Sequence, residues 1–303
     1  MRRILAFSPA HITGIFTIKN GYKNPFKKGS LGAGVSLKLG VYTTVEVEKN
    51  NKWKTRIKIN NKENVDTFVS STLLQEYFKL AQPHLVNVNH KIEVPVGAGY
   101  GTSGAAALSL SLALNEALDV GLSKTEAAQL AHLAEIKCKT GLGTVLAETF
   151  GGVELRVKAG APGFGLIKKI NSSNNFKVIS IHFGSLPTKN YLSNKSFRLK
   201  VNKLGNKLVK KLTEKPALDN FMYFSRRFAD GLNLYTEKLR EVLGWLDTHT
   251  SQIFTMNMFG EAIFSLVEEE NLPKMVQLLQ FCKNFGGEVI VSEIDQLGAR
   301  LIG

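Results

Sequence analysis

The stretch from Pro95 to Ala107, PVGAGYGTSGAAA, constrains the fold of this chain more than any other segment. Four glycines fall within eight residues of it: Gly97, Gly99, Gly101 and Gly104. Glycines remove the Cβ atoms that would keep a ligand away from backbone N–H groups, and a helix N-terminus adds unpaired donors and partial positive charge. A strand-like segment precedes the stretch and an apolar helical segment follows it, so the sequence predicts a polyphosphate-binding loop.

Three other interpretations of the glycines are weaker. A plain strand-to-helix turn needs only one or two glycines. A P-loop would end in GK[ST], which is missing here. Gly99, Gly101 and Gly104 spell the dinucleotide pattern GxGxxG, but a second helix follows the first without an intervening strand, and no acidic residue ends such a strand.

Hydrophobic periodicity predicts the elements around the loop. Strands are expected at residues 4–7, 34–48, 54–59, 86–94, 153–158, 178–183, 288–291 and 299–302, and helices at 65–81, 103–118, 124–139 and several places between 200 and 281. Ser123 and Glu126 form a predicted capping box at the start of the third helix. The run GAPGFG, residues 160–165, predicts a boundary between an N-terminal nucleotide-binding domain, 1–160, and a C-terminal domain, 161–303.

Composition limits the classes of protein and of partner. The chain has 303 residues, of which 44% are hydrophobic, and no apolar run reaches the roughly 18 residues of a membrane span. Its two cysteines, Cys138 and Cys282, have no metal-ligand spacing and fit a reducing compartment, so we expect a cytoplasmic protein. The net charge is +14, but the lysine-rich stretches 48–64 and 195–211 contain few aromatic residues. We therefore expect a solvated basic surface and no nucleic-acid partner.

The loop and its flanking motifs resemble those of the GHMP kinase superfamily, the galactose, homoserine, mevalonate and phosphomevalonate kinases. Residues 95–106 match the family loop PxGxGLGSSAA, with Tyr100 in place of its leucine. The run Ser8 to Gly14 is similar to the N-terminal motif, and Glu135, Gly143–Thr144 and Gly151–Gly152 resemble the segment after the loop. The resemblance implies an α+β, two-domain GHMP kinase fold, with a ribosomal protein S5-like N-terminal domain and a ferredoxin-like C-terminal domain.

Within the superfamily the chain is most similar to the archaeal pantoate kinases, which phosphorylate the primary hydroxyl of pantoate on the route to coenzyme A. The similar segments are SPAHITGIF, GSLGAGVSL, AHLAEIKCKTGLGTV, GGVELRVKAGAPG and GARLIG. The glycine-rich third motif of the superfamily is absent, and residues 258–262, MFGEA, stand in its place.

The resemblance implies ATP and Mg²⁺ as cofactors and gives roles to the loop residues. The expected nucleotide-binding residues are Pro95, Gly97, Ala98, Gly99, Tyr100, Gly101, Thr102, Ser103 and Gly104. Ser103 and Glu135 are the expected magnesium ligands and catalytic residues, which suits their hard oxygen atoms. The alternatives are that Ser103 only caps the helix and that Glu135 pairs with Lys139 on the surface.

Pantoate carries a carboxylate and two hydroxyls, so its site needs a cation and hydrogen-bond partners. Arg156 has the planar fork that suits a carboxylate. The resemblance adds Ser30, His132 and Thr188 as substrate-binding residues.

Thr144 is the third expected catalytic residue by its position, and it is the largest departure from the family pattern. Many superfamily members have at this position an aspartate thought to accept the proton of the attacking hydroxyl. Threonine cannot accept that proton at neutral pH. Either the alignment is displaced here, or the reaction depends on positioning and electrostatics, which carry most of phosphoryl transfer.

Two rival functions stay open on the sequence alone. The chain is either a pantoate kinase or another small-molecule kinase of the superfamily, acting on homoserine, shikimate or mevalonate. An RNA-binding protein is the less favoured alternative. A homodimer is allowed but not required.

Overall fold

Two β-sheets organise the chain in the computed structural model, which describes residues 1–63, 65–172, 175–186 and 194–303. The first sheet has seven strands. Five of them follow the order β11-β1-β2-β4-β3, while β5 pairs with the first residues of β2 and β6 pairs with β5. Its strands are β1 (Arg2–Phe16), β2 (Gly32–Lys49), β3 (Lys54–Ile59), β4 (His84–Ile92), β5 (Val153–Lys158), β6 (Leu166–Ile170) and β11 (Arg300–Ile302). Only the β3–β4 pair is parallel among these strands.

The second sheet is antiparallel and has four strands in the order β10-β7-β9-β8. These are β7 (Phe176–Ser185), β8 (Thr255–Met256), β9 (Gly260–Glu268) and β10 (Glu288–Glu293). The helices are α1 (Phe68–Tyr77), α2 (Thr102–Ala117), α3 (Lys124–Cys138), α4 (Thr144–Phe150), α5 (Lys195–Glu214), α6 (Leu218–Leu232), α7 (Glu237–His249) and α8 (Leu272–Gln280). The mixture of sheets and helices confirms the predicted α+β class.

Helix α2 holds the glycine loop in place because the helix is buried nearly all round. Its leucines and alanines pack in one apolar cluster with the strands of the first sheet and with α1 and α3. A buried helix cannot rotate or slide without losing this packing. The loop between β4 and α2 is therefore anchored at both ends, as the order strand, glycine loop, helix predicted.

Helix α3 begins as the sequence predicts. The hydroxyl of Ser123 accepts a hydrogen bond from the N–H of Glu126, and the Glu126 carboxylate accepts one from the N–H of Ser123. This capping box fixes the start of α3. The helix packs against α2 and α1, and Glu135 on its buried face contacts Ser103 in the first turn of α2.

The first sheet continues beyond the predicted boundary at residue 160. The turn at 160–165 leads directly into β6, which pairs with β5, and β11 at the C-terminal end pairs with β1. Both β6 and β11 come from the segment 161–303, so the two segments share one sheet. The division into two domains at residue 160 stays a prediction. Across the described residues, every helix is too short or too polar to cross a membrane.

Candidate active site

The glycine loop has the backbone that its sequence predicts. Gly97, Gly99 and Gly101 have φ angles of 79°, 83° and 66°, a region that residues with a Cβ rarely adopt. Gly101 is the N-cap of α2, and the first turn of α2 contains no acidic side chain. Side chains therefore leave the N-terminal N–H groups of the helix available to an anion.

The stretch 258–262, which stands in place of the third superfamily motif, packs directly behind the loop. A Cβ on Gly260 would lie 1.9 Å from the carbonyl oxygen of Ala98, so only glycine allows this contact. The Tyr100 hydroxyl is hydrogen-bonded to Ser180 Oγ on β7 at 2.7 Å, and both side chains are buried. The second sheet thus supports the loop from the side opposite to α2.

Ser103 and Glu135 meet at the start of α2. The Ser103 hydroxyl donates to Glu135 Oε1 at 2.6 Å, and the Thr140 hydroxyl donates to the same oxygen at 2.5 Å. Helix α2 begins at Thr102, so Ser103 lies inside the first turn, and the alternative role as N-cap is wrong. The Glu135 side chain is buried, which excludes the alternative of a surface residue paired with Lys139. Burial raises the pKa of Glu135, and its two hydroxyl donors lower it.

The Ser103–Glu135 pair fits a magnesium ion. Mg²⁺ binds oxygen at about 2.0–2.1 Å with octahedral geometry, so neighbouring ligand oxygens lie about 2.9 Å apart. The two oxygens here are 2.6 Å apart. Within the described chain no group of three or more His, Cys, Asp or Glu side chains is arranged to hold a metal. Two protein oxygens completed by phosphates and water are the arrangement that Mg²⁺ commonly accepts.

Thr144 and Glu148 lie on the same face of α4, one turn apart. A Cβ on Gly101 would lie 2.7 Å from Thr144 Cγ2 and 2.8 Å from Glu148 Oε1. A Cβ on Gly104 would lie 2.8 Å from Glu148 Oε2. The glycines at these two positions therefore leave room for the side chains of α4. Glu148, which the sequence analysis did not identify, is fully buried.

Arg156 belongs to a buried charged cluster on the first sheet. Its Nη1 atom lies 2.9 Å from Glu154 Oε1, and His11 Nε2 lies 3.1 Å from Glu154 Oε2. Cβ atoms on Gly32 and Gly34 of β2 would lie 2.7 Å from Arg156 Nη2 and 2.3 Å from His11 Nε2. Glycines in β2 thus make space for the cluster. Neither Glu154 nor His11 was predicted as a site residue.

Ser30 and Arg156 flank the start of α4. A Cβ on Gly143 would lie 2.9 Å from Ser30 Cβ and 3.3 Å from Arg156 Nε. The Ser30 hydroxyl donates to the carbonyl oxygen of Leu31, while Arg156 Nε has no hydrogen-bond partner within the described chain. The structure thus brings two of the four predicted substrate-binding residues together.

His132 lies on α3, one turn before Glu135, and is buried. Burial lowers the pKa of its imidazole to about 4, so the ring is neutral at pH 7. Its Nε2 atom has no hydrogen-bond partner among the residues that the structure covers. The fourth predicted substrate residue, Thr188, lies outside the described residues.

A glycine-to-alanine substitution in α2 tests its close packing against α4, and a second one in α7 serves as the control. In Gly104→Ala the new methyl group would collide with Glu148 Oε2, so we expect the free energy of unfolding to fall by about 1–3 kcal/mol. Gly244 lies in the exposed part of α7 with nothing near its Cβ position, so Gly244→Ala should raise that free energy by about 0.5–1 kcal/mol. Urea unfolding of both variants gives these values. An unchanged Gly104→Ala would contradict the contact with Glu148.

Comparisons with known proteins agree on the family. The GHMP kinases N-terminal domain matches residues 68–152, which include the loop, Glu135, Thr144 and Glu148. The chain is 33% identical to a pantoate kinase of Thermococcus kodakarensis, over 91% of each chain. It is 31% identical to a pantoate kinase of Methanocaldococcus jannaschii, over 90% of this chain and 96% of that protein.

Solved structures give the same result for the fold. A phosphotransferase related to the coenzyme A biosynthesis pathway superposes with a TM-score of 0.89 at 30% identity, covering 99% of both chains. A homoserine kinase from Cytophaga hutchinsonii has a TM-score of 0.74 at 16% identity, covering 100% of this chain and 98% of that one. The second similarity concerns the fold alone, and together they confirm the predicted GHMP kinase fold.

Proposed function

We propose, because this chain belongs to the pantoate kinase family of the GHMP kinases, that it transfers the γ-phosphoryl group of ATP to the primary hydroxyl of pantoate. The product is 4-phosphopantoate, an intermediate of coenzyme A biosynthesis. One observation carries the proposal beyond family membership. The hydroxyl of Ser103 and the carboxylate of Glu135 meet 2.6 Å apart at the N-terminus of the helix that follows the glycine loop.

The nucleotide side of the proposed reaction uses the loop backbone. Residues 95–104 would surround the phosphates with N–H groups that need no rearrangement, since α2 and the second sheet hold the loop from both sides. Preorganised donors of this kind stabilise the charge that develops on the transferred group. The +14 net charge of the chain attracts the anionic nucleotide as well.

Ser103 and Glu135 would hold Mg²⁺. An ion held by these two residues would supply positive charge to neutralise the phosphate oxygens. Glu135 is suited to this role because its carboxylate is kept in place by Ser103 and Thr140 and because Gly141 leaves space beside it. A Cβ on Gly141 would lie 1.9 Å from Glu135 Oε2.

The acceptor side of the proposed site uses Arg156 and Ser30. A guanidinium with a free Nε donor suits the carboxylate of pantoate, and a neutral His132 suits one of its hydroxyls. Arg156 is buried, so water would be excluded from its ion pair with the pantoate carboxylate, and that pair would be stronger than in solvent. Thr188 stays a proposed member of this side. The proposed use of ATP and the two free cysteines support a proposed cytoplasmic location.

A substrate panel tests the proposal. The purified chain is incubated with ATP and Mg²⁺ plus pantoate, homoserine, shikimate or mevalonate, and both ADP release and the phosphorylated product are measured. We expect phosphorylation of pantoate with a kcat/KM at least a hundredfold above that of the other acceptors. Phosphate on another acceptor but not on pantoate would contradict the proposed substrate. ADP release without any phosphorylated acceptor would contradict the kinase assignment.

A further inference from the structure

Phosphorylation of an alcohol releases a proton, and a group near the acceptor hydroxyl has to receive it. The side chain at position 144, at the start of α4, is a threonine. Its hydroxyl is too weak a base to hold an additional proton at neutral pH. His132 is a weak acceptor, because burial lowers its pKa to about 4. The remaining candidates near the loop are carboxylates.

Three buried carboxylates surround this region, and they differ in their partners. Glu135 accepts hydrogen bonds from two hydroxyls, and Glu154 is paired with Arg156 and His11. Both oxygens of Glu148 lack a hydrogen-bond partner among the described residues, although the side chain is 0% exposed. A buried carboxyl group without partners costs free energy, so its retention calls for an explanation.

The surroundings of Glu148 relate it to the loop. Its two oxygens approach the Cα positions of Gly101 and Gly104, because a Cβ atom at either position would lie only 2.8 Å from one of them. Thr144 lies one turn earlier on the same face of α4, is half-buried, and contacts the same two glycines through its methyl carbon Cγ2 and its Cβ. Its hydroxyl therefore reaches the Glu148 side only after a rotation about the Cα–Cβ bond, which places Oγ1 where Cγ2 now lies. Thr144 is thus the more exposed of the two and Glu148 the deeper one.

We propose that Glu148 receives the proton of the acceptor hydroxyl through the hydroxyl of Thr144, after rotation about the Cα–Cβ bond of Thr144 has brought that hydroxyl beside Glu148. The inference rests on the proposed kinase function. In the transfer, the acceptor oxygen forms a bond to Pγ, the bond from Pγ to the β,γ-bridging oxygen breaks, and ADP leaves with that electron pair. The acceptor proton passes to Thr144 Oγ1, whose own proton passes to the Glu148 carboxylate. The proton then leaves to solvent after product release, which restores the carboxylate.

The charges around Glu148 determine when it is ionised. Burial raises its pKa well above the usual range, and the nearby carboxylates Glu135 and Glu154 raise it further, whereas Arg156 lowers it. His11 faces Glu154 from β1. Only the ionised form accepts a proton, so kcat should increase with pH as Glu148 loses its proton.

The test compares Glu148→Gln with the wild type. Gln keeps the size of the side chain but cannot accept the proton, so we expect kcat to fall about a hundredfold, with the KM values of ATP and pantoate changed less than threefold. The increase of kcat with pH should also disappear. If kcat and the pH profile equal those of the wild type, the inference is overturned. A lower kcat with an unchanged pH profile overturns it too, because that result indicates a structural role.

Two further variants identify the route of the proton. Thr144→Val removes the relay hydroxyl at a half-buried position and should lower kcat about as much as Glu148→Gln. Adding Thr144→Asp to Glu148→Gln places a carboxylate at the more exposed of the two positions. The double variant should have a kcat at least tenfold above that of Glu148→Gln alone. An unaffected Thr144→Val, or a folded double variant without any recovery, overturns the relay.

Folding and substrate identity are controlled separately. Because the raised pKa means that the folded state favours protonated Glu148, wild-type stability should fall as pH rises toward that pKa, and Glu148→Gln should lack this fall. Urea unfolding at pH 6 and pH 9 measures it, and an equal pH dependence in both proteins overturns the inference without any activity assay. If the panel finds an acceptor other than pantoate, the kinetic comparison is made with that acceptor.

Discussion

Replacing Glu135 by Gln is expected to lower kcat/KM for ATP by about a thousandfold, which corresponds to about 4 kcal/mol of transition-state stabilisation. The substitution keeps the shape of the side chain and can still accept the hydroxyl hydrogen bonds of Ser103 and Thr140. It removes the negative charge that would hold Mg²⁺ against the phosphates. Steady-state kinetics at several Mg²⁺ concentrations measure the effect, and the concentration for half-maximal rate should rise at least tenfold.

Glu116→Gln is the matched control. Glu116 lies at the far end of α2 and pairs with Arg2 on the surface, so its substitution changes the net charge equally without touching the loop. We expect its kcat/KM to stay within twofold of the wild type. If Glu135→Gln keeps wild-type kinetics at limiting Mg²⁺, Glu135 does not bind the ion and only anchors Ser103.

Local signals in the sequence were enough to predict most of the secondary structure and the phosphate loop. Alternation and helical spacing depend on neighbours within a few residues, and the capping box of α3 needs only Ser123 and Glu126. The glycine loop was predictable because the positive φ angles of Gly97, Gly99 and Gly101 need this residue type. The local errors were the start of α2, where Gly101 and not Ser103 is the cap, the extent of β1, which was predicted only at residues 4–7, and four elements that were not predicted: α4, β6, β8 and β9.

Tertiary contacts were not predictable from such signals. Glu148 is the one charged residue of the short helix α4, and only the approach of α4 to Gly101 and Gly104 reveals its unpartnered oxygens. Its spacing from Thr144, four residues, was the available signal. Likewise His11 and Glu154 are more than a hundred residues apart, and their contact depends on the pairing of β1 and β5 with β2.

The pairing of β5 with β6 shows what the glycines and the proline at 160–165 do locally, whereas the domain boundary at residue 160 stays a prediction. The run 160–165 forms a turn between β5 and β6 of one sheet, so a strong turn signal marks a change of direction there. A turn and a linker have the same composition, and only the pairing partner of the next strand distinguishes them. The partner of β11, at the other end of the sequence, is even less accessible to a local pattern.

Arg156→Lys is expected to raise the KM for pantoate about a hundredfold while the KM for ATP stays within threefold. Lysine keeps the positive charge that Glu154 needs, so the buried ion pair is not simply broken. It loses the planar fork and the free Nε donor, and hydrogen bonds between charged groups contribute about 1.5–3 kcal/mol each. Initial rates with pantoate and ATP varied in turn measure both constants.

The control for this substitution is Arg227→Lys on α6, an exposed arginine whose Nη1 donates to the Tyr223 hydroxyl. Its effect on both KM values should be under twofold, because α6 contributes no predicted substrate residue. An unchanged pantoate KM in Arg156→Lys would mean that Arg156 only compensates the charge of Glu154. A fall in kcat with both KM values unchanged would instead connect Arg156, through the position of its charge, to the ionisation of Glu148. A raised pantoate KM thus identifies a residue that binds the carboxylate of pantoate, whereas an unchanged KM with a lower kcat identifies one that sets the electrostatics of the buried cluster.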